Sequence, residues 1–153
     1  MCYIKLKDIT ESNVLLVNIS KSFNSCPNSK CATLGSWRLN EDNAKKVEYL
    51  FGVYKQQIKC IIAVNKVCNL VGGFNVATFP CDCSKAGCRE EEKKYIQKAI
   101  SSGVVDNKLK RRIYFIEDNT KDVKELEAKY LGKKIFTASG KRLFYNPVRY
   151  VNF

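Results

Sequence analysis

The sequence predicts an α+β domain: a strongly curved mixed sheet or open β-barrel with flanking helices. Three observations carry this expectation. Strand-like and helix-like segments follow in the order strand, short helix, hairpin, insert, helix, strand, helix, two strands. That order lacks the regular alternation of a doubly wound parallel sheet. The run "NVLLVNI" (13–19) is apolar without interruption, as a central strand buried on both faces requires. At 153 residues with 45% hydrophobic side chains, the chain is long enough for one good core, so residues 1–153 are read as a single domain.

The elements are justified in turn. The first strand ends in "SKSFNSCPNSK", a polar segment with Pro27 and two asparagines that reads as a loop. In "NEDNAKKVEYL" Asn40 suits an N-cap, and Glu41 and Asp42 suit the first turn of a short helix. "EYLFGVYK" and "IKCIIAVNKV" form two strands joined near Gln56 and Gln57, a hairpin. From about 68 to 89 the chain holds Gly72-Gly73, Pro80 and clustered cysteines, and is read as an irregular insert. "REEEKKYIQKAISSG" predicts a helix, with Tyr95, Ile96, Ala99 and Ile100 in one stripe and Gly103 at its stop. "RRIYFIED" is strand. "NTKDVKELEAKYLGKK" is the clearest helix: Thr120 or Asn119 caps it, Val123, Leu126, Tyr130 and Leu131 share a face, and Gly132 ends it. "KKIFTA" and "PVRYVNF" close the chain as strands.

Charge and missing residue types narrow the chemistry. Lys plus Arg is 27 against 15 for Asp plus Glu, a net charge of +12. Such a surface attracts polyanions in a salt-dependent way, although basic balance also serves solubility and anionic membranes. Local concentrations stand at Lys108, Lys110, Arg111 and Arg112, and at Lys133, Lys134, Lys141, Arg142 and Arg149. The chain has no histidine, which excludes Ser-His-Asp and Cys-His nucleophile systems and histidine-metal nucleases. No apolar run reaches the roughly 18 residues of a membrane span. "MCYIKLKDITES" brings acids too early for a signal peptide, so a cytoplasmic protein is expected.

The eight cysteines are therefore read as mostly free thiols, with Cys60 in "IKCIIAV" a small buried hydrophobe. Cys68, Cys81, Cys83 and Cys88 are the candidates for zinc, but "CDCSKAGC" lacks the paired C-x2-C spacing, and no metal or other cofactor is assigned. Gly72-Gly73 is no phosphate loop. Glu117, Asp118 and Asp122 allow a carboxylate, Mg-dependent nuclease as an alternative; they equally suit the acidic first turn of the following helix.

One segment points elsewhere. An apolar strand runs into Lys21-Ser22-Phe23; Asn28 follows, then Gly35-Ser36-Trp37, an acidic lysine-containing helix and a strand pair. This order resembles the YTH domain, one of the PUA-like group that also includes EVE and ASCH domains. The segments "RRIYFIEDNTKDVKELEAKYLGK" and "NPVRYVNF" are similar to small bacterial proteins of the same type. The motif-level likeness covers residues 13–67; beyond that only element order matches. It implies a PUA-like fold and an RNA-binding or DNA-binding module that holds one base, often methylated, against aromatic walls. Stacking of a base on an indole is worth about 1–3 kcal/mol. By this resemblance Trp37 is a wall, and Ser22 and Asn28 read the base edge. Lys21, Arg38, Arg111, Arg112 and Arg149 neutralise phosphates. This chain lacks the second tryptophan common in YTH cages, so Tyr114, Phe115, Phe74 or Tyr145 would form the opposite wall. Trp37 as a core plug and Asn28 as a turn residue beside Pro27 remain the plain alternatives. A regulatory domain that binds a partner protein through the Cys-rich insert is a third class.

Overall fold

The computed structural model describes residues 3–20, 29–34, 37–69, 112–137, 142–144 and 146–153. The insert at 68–89 beyond Asn69 and the helix expected over 89–103 lie outside these residues. In order, the elements are β1 (Tyr3–Lys5), a 3-10 turn (Leu6–Asp8), β2 (Val14–Asn18), α1 (Ser29–Leu34), β3 (Trp37–Arg38) and α2 (Glu41–Ala44). There follow β4 (Tyr49–Tyr54), β5 (Gln57–Asn69), β6 (Arg112–Glu117), α3 (Lys124–Tyr130), β7 (Lys134–Phe136) and β8 (Val148–Val151).

The strands form one mixed sheet in the order β1-β7-β5-β4-β2-β8, with β6 on the far half of β5 and β3 beyond β6. β2 runs parallel to β4 and β1 parallel to β7; the remaining pairs are antiparallel. The sheet curls into a half-barrel. β5 drives the curl. Its first half pairs with β4 and its second with β6, and the register slips near Lys59 and again at Asn65. Each slip inserts an unpaired residue that sharpens local twist.

β2 is buried on both faces, as its apolar run requires. Leu15 and Val17 enter one cluster with Leu50, Ile62 and Phe115; Val14 and Leu16 enter a second with Phe51, Ile61 and Tyr130. This is period-two alternation with both sides dry. The β4–β5 hairpin turns at Lys55-Gln56, one residue earlier than the sequence suggests. Both residues take positive φ, 48° and 68°, as the two-residue turns matched to strand twist demand.

Helix boundaries differ in instructive ways. Asn40 caps α2 as expected, its side-chain oxygen accepting the Asp42 amide at 2.9 Å. α1 begins in the last two residues of the segment read as a loop and runs on to Leu34. α3 begins only at Lys124, so neither Thr120 nor Asn119 caps it. Asp118 instead accepts the Thr120 amide at 3.0 Å, closing a separate turn, and Asp122 accepts the Lys124 amide at 2.9 Å. Asp side chains thus captured the local amides first. Val123, Leu126 and Tyr130 pack on the second cluster, while Leu131 is exposed. Gly132 takes φ +83° past the helix end, as predicted.

Candidate nucleic-acid interface

Trp37 is positioned by α1. Ala32, Thr33 and Leu34 are buried, and they bring the helix onto β4 and β5. The approach is close enough that a side chain at Gly52 of β4 would overlap the Thr33 hydroxyl. That explains a glycine inside an otherwise apolar strand. The Thr33 hydroxyl donates back to the Ser29 carbonyl at 2.7 Å. The Thr33 carbonyl, left over at the helix end, accepts the indole Nε1–H of Trp37 at 2.8 Å. The ring is partly buried against the first cluster. Its one polar side-chain atom is therefore spent on α1.

β3 carries Trp37 opposite Ile113 and Arg38 directly opposite Arg112. The register makes three residues nominated from sequence backbone neighbours, but strand alternation puts position 37 on one face and positions 38 and 112 on the other. Position 114 lies opposite Cys68 of β5. Along β6 it alternates with Phe115, which is fully buried in the cluster on which Trp37 packs. Phe115 is therefore core and not available as an opposing wall, and position 114 falls on the other side of the strand. Arg149 stands apart on β8, with β5, β4 and β2 between it and β6. Its Nη1 donates to the Leu143 carbonyl at 2.9 Å. Lys21, Ser22, Asn28 and Arg111 lie outside the described residues, as do Phe74, Tyr145, Cys81, Cys83 and Cys88.

Two clefts adjoin β5, of about 400 and 260 Å³, and Trp37 lines neither. The larger opens where β5 has left β7 at Gln57 and has not yet met β6 at Val64. Lys30 and Glu117 form an ion pair on its wall at 2.7 Å. Cys60 lies there too, buried, and burial pushes its thiol up to about 11 despite the Thr33 hydroxyl beside it. Sequence reading missed this cleft; a strand as long as "QIKCIIAVNKVCN" carries the signal, since no single partner spans it.

The carboxylates behind the nuclease alternative are each engaged locally. Glu117 pairs with Lys30. The Thr120 hydroxyl and amide hold Asp118 below the usual carboxylate range, and Asp122 serves the start of α3. Among the described residues no three His, Cys, Asp or Glu side chains come together as a metal site needs. No described helix is long and apolar enough to cross a membrane. Comparison with protein-family models, curated proteins and solved structures finds no match to this chain.

Proposed function

We propose that this chain is a PUA-like, YTH/EVE-like nucleic-acid-binding module that takes one base, plain or methylated, against the half-buried indole of Trp37. The observation that carries the reading is the fixing of that indole. Its N–H is bound to the Thr33 carbonyl, and its residue stands on a two-residue strand paired with β6. A ring so held loses little freedom when a base stacks on it. The net charge of +12 and the curled mixed sheet of the described residues agree with the reading. Ser22, Asn28 and Lys21 would supply edge readout and a further phosphate contact.

Trp37→Leu tests it. Loss of one stacked base should weaken oligonucleotide binding about 5- to 150-fold, with Trp37→Phe retaining a part of the affinity. Equal affinity for all three proteins would dismiss the stacking role.

A further inference from the structure

At the end of the sheet remote from Trp37, β1 and β7 present a small surface of unusual composition. Their parallel register sets Tyr3 opposite Lys134, Ile4 opposite Ile135 and Lys5 opposite Phe136. Ile4 and Ile135 are buried in the second cluster. Alternation therefore sends Tyr3, Lys5, Lys134 and Phe136 to the other face together. That face is open. Tyr3 is 42% and Phe136 54% exposed, and their rings lie in contact, centroids 4.7 Å apart and tilted by 33°. The flanking segments 3–8 and 131–137 hold Lys5, Lys7, Lys133 and Lys134 against the single acid Asp8, whose carboxylate accepts the Lys5 amide at 2.7 Å.

Two adjoining exposed rings on neighbouring strands, interleaved with lysines, have the chemistry that single-stranded nucleic acids select. Unpaired bases stack on the ring faces, and the ammonium groups meet the phosphates between them. A duplex hides its base faces and gains only the charge term. We propose that the β1–β7 face is a binding platform for a single-stranded stretch of nucleic acid. Bases stack on Tyr3 and Phe136, and phosphates lie on Lys5 and Lys134. It is a separate surface from the Trp37 site, since Gln57, which adjoins Lys134, and Asn69, which adjoins Ile113, are the two ends of β5. The platform does not require a base beside Trp37.

The test is fluorescence anisotropy of the full chain with a labelled oligouridine or oligothymidine of about a dozen nucleotides, and with a duplex of similar length. Tyr3→Leu with Phe136→Leu keeps apolar bulk on the strands but removes the stacking faces. This double variant should bind single strands about 10- to 100-fold more weakly, and duplex within about twofold of wild type. Single-strand affinity equal to wild type overturns the proposal, as does a wild type that does not bind single strands. Should that variant melt early, Lys5→Gln with Lys134→Gln decides. The slope of log affinity against log salt should fall by about 1.4 for the single strand, and an unchanged slope overturns it. Binding to anionic phosphatidylserine vesicles that the Leu variant abolishes, with single-strand binding intact, would assign the face to a lipid surface instead. The two sites fail separately: platform binding leaves Trp37 emission unchanged, and an absent quench at Trp37 leaves the anisotropy arm intact.

Discussion

Replacing Gly52 with alanine places a methyl group where the Thr33 hydroxyl lies. Neither partner can step aside easily. Gly52 is held in the ladder by Val17 of β2 on one side and Cys60 of β5 on the other. Thr33 is fully buried, and its hydroxyl is tied to the Ser29 carbonyl at 2.7 Å. Overpacking of this kind costs about 1–3 kcal/mol. At the middle of that range the melting temperature of a domain this size should drop by roughly 4–8 °C. Thr33→Ala alone forfeits the hydroxyl bond and some packing, about 1–2 kcal/mol. The double variant is the informative one, because it removes the atom that the new methyl meets. Its loss should be smaller than the sum of the single losses by about 1 kcal/mol or more. Urea unfolding followed by far-ultraviolet circular dichroism measures all three. Trp37 emission should also shift in Gly52→Ala, since the indole hangs on the Thr33 carbonyl. A Gly52→Ala protein within about 0.5 kcal/mol of wild type, or strictly additive losses, would refute the close contact of α1 with β4.

Other expectations concern stability, thiol reactivity and charge. Tyr130→Phe removes a hydroxyl that donates to Glu11 at 2.5 Å, and should cost about 1–2 kcal/mol in urea unfolding. Burial pushes Glu11 up, but the Tyr130 hydroxyl, a backbone amide and the Lys129 ammonium together outweigh it and hold the carboxyl low. Its stabilising share is thus full above the ordinary carboxylate range and lost as pH falls through the lowered value; Glu11→Gln should flatten that part of the stability–pH curve. Cys60, with its thiol near 11, should stay unalkylated by iodoacetamide at pH about 8 in the native protein and react once unfolded, as peptide mass mapping would show. Lys55→Asn with Gln56→Gly relieves two positive-φ residues and should raise stability by about 1 kcal/mol or more. Oligonucleotide affinity should fall steeply between low and moderate salt, with a slope of about −0.7 to −0.9 per phosphate contact; a flat response would favour an apolar protein interface.

What could be read in advance follows from how local each cause is. β2, the β4–β5 hairpin and the body of α3 carry long unbroken patterns, and they form where the patterns lie. α1 was hidden because "SKCATL" is six residues long, sits next to Pro27, and is held by a contact with Gly52 that no neighbouring residue announces. β1 was hidden because three residues cannot display a period; it exists only through its pairing with β7. The start of α3 was misplaced because Asp118 and Asp122 each offered an amide a better local partner than Thr120 did. For the site, the type of residue at Trp37, Arg38 and Arg112 was legible, but their adjacency depends on β3 meeting β6 across more than seventy residues of chain. Phe115 reads equally as wall or core, and only the alternation of β6 against the first cluster decides for core.

The most direct measurement is the emission of Trp37, the sole tryptophan, during titration with plain and methylated oligonucleotides whose binding is followed independently by anisotropy. A base lying flat on the indole should quench the emission in step with occupancy, and a methylated base should do so at lower concentration if the site favours it. Saturable binding with the emission unaltered would mean that no base reaches Trp37.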